Sequence, residues 1–198
     1  MHKKTTPNLS VIAAGALSVL AYGYLSVNSQ HYGDANLIQM MSVCGISMFL
    51  CTLVWWHHYR QNIEISIPLL LGFAVVFRVI GLFSFPLLED DIYRYLWDGR
   101  QTVETGNPYL FPPSDYFDSD NISDRFEDIL NGINYPNIAT VYGPLCQWIF
   151  ALSYLIAPGE IWPLQLIFAL ADMAIILALL KLARPNLVLL YALSLIHI

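Results

Sequence analysis

The chain is 198 residues long, 57% hydrophobic and only 12% charged, with a mean hydropathy of +0.54 and a formal charge of −6. These values exclude an ordinary soluble domain and mark an integral membrane protein. The charge is uneven: residues 87–140 hold 11 carboxylates against 3 arginines, a balance of −8, while the remainder sums to +2, which excludes nucleic acid as a partner because it needs a basic footprint.

A hydrocarbon core takes about 20 apolar residues per helix. In chain order, apolar runs cover roughly 9–27, 37–57, 65–86, 141–158 and 161–181, with a sixth starting near 187. The fold class predicted is all-α, a polytopic transmembrane helix bundle of about 5 to 6 spans carrying a partly helical external loop. Its divisions are N-terminal membrane helices (1–86), an acidic and aromatic external loop (87–140) and further membrane helices (141–198). Residues 187–198 are too few to cross a bilayer and lack a charged flank, so the chain reads as the front part of a longer protein. Lys3 and Lys4 before the first run and Arg60 after the second favour a cytoplasmic N-terminus. Alternation then puts 87–140 on the non-cytoplasmic side of the cell membrane, although Lys181 and Arg184 count against the same rule.

Two charges interrupt apolar runs, Arg78 in the third and Asp172 in the fifth. A charge within the bilayer costs about 2.5–3.5 kcal/mol on insertion scales, so such residues are paired or functional. The expectation is that they face the bundle interior and pair with each other, or that Arg78, two helical turns before Pro86, meets a phosphate below the membrane surface. Cys44, Cys51 and Cys146 form no C-x-x-C pair and read as small buried hydrophobes. His57 and His58, side by side at the end of the second run, read as interfacial.

The external loop is too long for an ordinary connection and too aromatic for a solvated linker. Its strongest feature follows the third run: Pro86, predicted to stop the membrane helix, then Glu89-Asp90-Asp91, Tyr93-Arg94-Tyr95 and Trp97-Asp98-Gly99-Arg100. A helix over 90–100 would align Asp90, Arg94 and Trp97 on one face and Asp91, Tyr95 and Asp98 on the next, with Gly99 as its C-cap. Acids at a helix N-terminus also complement the helix dipole, which accounts for one or two of them but not for three in succession at a membrane surface.

A carboxylate at the water–lipid boundary suits general-base work on a polar acceptor, and neighbouring arginines suit a phosphate, which they grip bidentately. Together they describe a site for a lipid-linked phosphate. Downstream lie Gly106-Asn107-Pro108-Tyr109, Tyr135-Pro136 and Tyr142-Gly143-Pro144-Leu145, where Pro and Gly fix turns and the aromatics either stack on sugar rings or anchor the loop at the interface. The candidate catalytic residues are Glu89, Asp90 and Asp91. The candidate substrate-binding residues are Tyr93, Arg94, Tyr95, Trp97, Asp98, Arg100, Asn107, Tyr109 and Tyr142.

The acidic motif after a membrane helix, Tyr-Arg-Tyr-Leu-Trp-Asp-Gly-Arg over 93–100, the Gly-x-Pro-Tyr segment and Tyr-x-Pro-Leu at 142–145 resemble the GT-C superfamily of polyprenyl-phosphate-sugar-dependent glycosyltransferases, most closely its bacterial mannosyltransferase-like branch. The resemblance covers about residues 75–150. It implies inverting transfer of a hexose from a polyprenyl-phosphate sugar to a glycan or lipid acceptor, with Asp90 or Asp91 as the base. Arg94 and Arg100 are assigned to the donor phosphate from charge and position. A divalent metal is compatible with the acids, but no ligand spacing indicates one. Two departures stand out: three apolar runs precede the acidic loop where many members have one, and members usually carry more helices.

Two other classes compete. A transporter or channel would place Arg78 and Asp172 on its path and use the acidic loop to gather cations, but it predicts internal repeats that the apolar runs lack. The other is a non-catalytic membrane interaction protein.

Overall fold

The computed structural model describes residues 9–28, 37–86, 89, 91–117, 119 and 122–193. It is all-helical, with no strand among these residues. Among the described residues three helices are long and apolar enough to cross a membrane: α1 (Leu9–Asn28), α2 (Leu37–Gln61) and α7 (Trp162–Leu182). The third and fourth apolar runs give shorter helices, α3 (Ile67–Leu82, 16 residues) and α6 (Pro144–Ile156, 13 residues). The sixth begins as α8 (Pro185–Ala192), and residues 194–198 lie outside the described region. Each of these three helices starts with proline in its first turn, where the missing N–H costs nothing. The third run stops before Pro86, because the Phe83 and Ser84 amides turn back to the Ile80 and Gly81 carbonyls at 3.2 and 3.1 Å and close the helix at Leu82.

The chain forms two compact units. The first comprises residues 1–87 and 168–198. In it α1 packs on α2 and α3, and α8 on α2 and α3, around Val11, Leu70, Ala74, Phe77, Ile176 and Leu189. Many apolar side chains on α1 and α2 point outward, such as Leu20 and Ile38 at 70% and 77% exposed, as lipid-facing residues do. Buried within this unit, the Arg78 guanidinium donates from Nε to Asp172 Oδ2 at 2.7 Å and from Nη1 to the Ala192 carbonyl at 2.5 Å. The Tyr191 hydroxyl donates to the other Asp172 oxygen at 2.5 Å. The two charges that interrupt apolar runs are therefore one ion pair. His58 is buried against α1, its Nε2 3.0 Å from Ser10 Oγ.

The second unit, Leu88–Ile167, contains α4 (Ile92–Thr105), a 3-10 turn (Pro113–Tyr116), α5 (Asp124–Asn131), α6 and the first residues of α7. The amphipathic α4 packs on both α5 and α6. Its contact with α5 is a core of Leu96, Trp97, Phe126, Ile129, Leu130 and Ile133. The helix expected over 90–100 runs instead to Thr105, and Gly106, with φ of 74°, supplies the left-handed C-cap expected of Gly99. Gly99 lies mid-helix against α6: a Cβ there would stand 2.8 Å from the Phe150 carbonyl carbon and closer still to its oxygen. The residue is glycine because two backbones meet, not because a helix ends.

Candidate active site

α4 and α6 pack against each other, with Tyr95 and Gly99 against Phe150 and Glu104 bonded to Tyr154, and the residue before α4, Asp91, meets Tyr142 just before α6. Asp91 occupies the N-cap position of α4, yet its side chain makes no capping bond to the helix. Its Oδ2 instead accepts the Tyr142 hydroxyl at 2.6 Å, and its backbone N–H donates to Glu89 Oε1 at 3.1 Å. The carboxylate that dipole complementarity would aim at the helix is thus turned toward the segment leading into α6. Asp90 lies outside the described residues.

A hydrogen-bonded layer behind Asp91 holds that segment in place. Arg94 Nε donates to Asp98 Oδ1 at 2.8 Å, and its Nη2 to the Ile138 carbonyl at 2.9 Å. Gln147, on α6, donates from Nε2 to Asp98 Oδ2 at 3.1 Å and to Thr140 Oγ1 at 2.9 Å, and its Oε1 accepts Thr102 Oγ1 at 3.2 Å. Arg94, Asp98, Thr140 and Gln147 are all buried. Burial pushes the Asp98 carboxyl above its ordinary range, and the Thr140, Arg94 and Gln147 contacts oppose that push. The layer clamps residues 138–140 onto α4 two residues before Tyr142, which fixes where the Tyr142 hydroxyl meets Asp91.

The aromatic residues complete the setting. Tyr95 stacks on Phe150 with ring centroids 4.8 Å apart and meets Tyr142 edge-on at 5.2 Å. Burial raises the Tyr95 and Tyr142 phenols above their ordinary range, and Asp91 raises Tyr142 further, so both remain protonated donors at neutral pH. The Tyr109 hydroxyl donates to the Tyr142 carbonyl at 2.8 Å, and Asn107 Oδ1 accepts the Tyr109 amide at 3.1 Å, an Asx turn that presents Tyr109. Asn107, Tyr109, Tyr142, Tyr95 and Asp91 are thereby connected.

Other expected site residues are placed elsewhere. Tyr93 packs against Gly132, where a Cβ would come within 2.8 Å of its ring. Trp97 is buried in the α4–α5 core. Arg100 pairs with Glu104 at 2.9 Å and lies over the Trp97 and Phe126 rings, 5.2 and 5.1 Å from their centroids. Both arginines expected to hold a phosphate are engaged by carboxylates one helical turn ahead. Thr140 and Gln147 carry the clamp and were not anticipated; the signal for Gln147 was a lone amide in an otherwise apolar helix. Among the described residues no group of three or more His, Cys, Asp or Glu gathers as a metal would require.

A family model described as alpha-(1->6)-mannopyranosyltransferase, N-terminal domain, matches residues 8–190. No curated protein and no solved structure matches the chain.

Proposed function

The chain belongs to the alpha-(1->6)-mannopyranosyltransferase N-terminal domain family, and on that premise we propose that it transfers a mannosyl residue from a polyprenyl-phosphate donor, with Asp91 as general base, on the non-cytoplasmic face of the membrane. The observation that carries the assignment is the Asp91 carboxylate, turned away from its own helix and held by one oxygen on the Tyr142 hydroxyl at 2.6 Å. A base must be oriented before its substrate arrives, and among the described residues the Tyr142 hydroxyl does this through one carboxylate oxygen.

In this mechanism the acceptor's 6-hydroxyl gives its proton to Asp91 as its oxygen attacks the anomeric carbon. The bond from that carbon to the phosphate oxygen breaks, and polyprenyl phosphate leaves with the electron pair. Attack from the face opposite the leaving group inverts the anomeric centre, so an alpha product requires a beta-linked donor. Arg94, Asp98, Thr140 and Gln147 act at one remove, holding the segment that carries Tyr142. Neither Arg94 nor Arg100 is assigned to the donor phosphate, since each neutralises a carboxylate of α4.

The test is transfer of labelled mannose in membranes containing the full-length protein, offered either beta- or alpha-linked polyprenyl-phosphate mannose, or a nucleotide-linked mannose. Label reaching an alkyl alpha-mannoside from the beta-linked lipid donor alone is expected. Equal use of the nucleotide-linked sugar in washed membranes would remove the lipid-donor assignment.

A further inference from the structure

Trp97 and Gln101 lie one turn apart on the same face of α4, 1% and 3% exposed. Among the described residues the Trp97 indole N–H and both polar atoms of the Gln101 amide have no hydrogen-bond partner. An isolated buried amide is costly, and an apolar side chain of the same volume would serve a purely structural position better. Buried polar groups that the fold does not satisfy mark places where stability yields to function. The same face carries Arg94, whose guanidinium reaches the Ile138 carbonyl in the segment that leads to Tyr142. Over Trp97 lies Tyr116, edge-on at 5.2 Å, in the segment between Gly106 and α5. That segment is tied down at two points, by the Tyr109 hydroxyl on the Tyr142 carbonyl and by the Ser114 amide on the Pro136 carbonyl at 2.9 Å.

We propose that the Trp97 N–H and the Gln101 amide form a subsite for the hydroxyl groups of a hexose, which enters beneath the 107–116 segment. An amide supplies two donors and an acceptor and the indole a third donor, a set that matches vicinal hydroxyls, each both donor and acceptor. The 107–116 segment is latched to Tyr142, the residue that holds Asp91, which makes the mannosyl group of the donor and the mannoside of the acceptor the two candidate sugars for the subsite. This rests on the mannosyl-transfer function proposed above.

The test uses the purified full chain in lipid nanodiscs, as wild type, Gln101→Met and Trp97→Phe. Binding is read as the rise in thermal midpoint caused by methyl alpha-mannopyranoside, with mannitol at equal concentration as the solvent control. Kinetics use beta-linked polyprenyl-phosphate mannose as donor and an alkyl alpha-mannoside as acceptor. Gln101→Met is expected to keep or raise the unliganded midpoint, lose the mannoside-dependent rise, and increase one KM by about tenfold, the loss expected for one or two neutral hydrogen bonds. Trp97→Phe should weaken the mannoside-dependent rise and raise the same KM to a smaller degree, with a lower unliganded midpoint because it also empties part of the α4–α5 core. An increase in the donor KM places the donor's sugar in the subsite, and an increase in the acceptor KM places the acceptor's. If no preparation transfers mannose but the mannoside shifts wild type and not Gln101→Met, the subsite stands and the transfer reaction falls. The subsite is overturned by a wild-type protein that mannoside does not shift, by variants whose shift and KM values match wild type, or by a Gln101→Met midpoint far below wild type, which would reveal a structural partner for the amide.

Discussion

Replacing Gly99 with alanine separates two physical effects of opposite sign. In an unconstrained helix interior alanine stabilises relative to glycine by about 1 kcal/mol. At Gly99 the added Cβ would stand 2.8 Å from the Phe150 carbonyl carbon, at least 0.6 Å inside the 3.4 Å of ordinary contact. The obstacle is backbone, so no side-chain rotation relieves it, and α6 must move as a body. Overpacking costs about 1–3 kcal/mol, and against backbone that cannot rotate away the upper part of that range, about 2–3 kcal/mol, applies, which exceeds the propensity gain. The net expectation is a loss of about 1–2 kcal/mol, or several degrees in the midpoint of a unit this size. A shift of that size also stretches the 2.6 Å bond between Tyr142 and Asp91, because Tyr142 leads directly into α6, so transfer activity should fall together with stability. The assay is thermal unfolding in detergent followed by intrinsic fluorescence, with mannosyl transfer measured in parallel. A Gly99→Ala protein as stable as wild type, or more so, would refute the close approach of α4 and α6.

Gln147→Leu removes a donor shared by Asp98 and Thr140 and leaves the Asp98 charge buried with fewer partners, so a loss of about 2–4 kcal/mol is expected in the same unfolding assay. A neutral effect would mean that the clamp contributes nothing. Asp98 has a folded-state pKa above its ordinary 3.8, so the native state binds the proton more tightly than the unfolded chain. Stability should therefore fall as pH rises from about 4 through that raised value, and Asp98→Asn should flatten this part of a midpoint-versus-pH profile; an unchanged slope would exclude Asp98 as its source. Arg78→Ala leaves Asp172 buried without its cation and should cost about 3–5 kcal/mol, read as loss of folded protein in membranes. Adding Asp172→Asn should recover much of that loss, whereas independent effects would count against the direct pair.

The sequence made parts of this legible because local rules sufficed. Arg78 and Asp172 could be matched because an unpaired charge in an apolar helix is too costly to leave alone. The helix after the acidic motif was visible from i, i+4 spacing, and so in principle were the Arg94–Asp98 and Arg100–Glu104 pairs that occupy both arginines. What was hidden depended on tertiary contact. Gly99 looks like a helix terminator until Phe150 lies against it, and Gln147 looks like an odd residue in an apolar run until Asp98 and Thr140 meet it. The third run looked long enough to cross a bilayer, but its helix occupies only Ile67–Leu82, closed by backbone bonds that hydropathy does not register.

The role of Asp91 as the base is isolated by Asp91→Asn. Asparagine keeps the shape and can still accept the Tyr142 hydroxyl, so the folded protein and its thermal midpoint should be preserved while the proton acceptor is lost. Single-turnover transfer of mannose from beta-linked polyprenyl-phosphate mannose is predicted to slow by about 10²–10⁴-fold, the usual contribution of a positioned base. Transfer within about twofold of wild type by a stably folded Asp91→Asn protein would contradict the assignment.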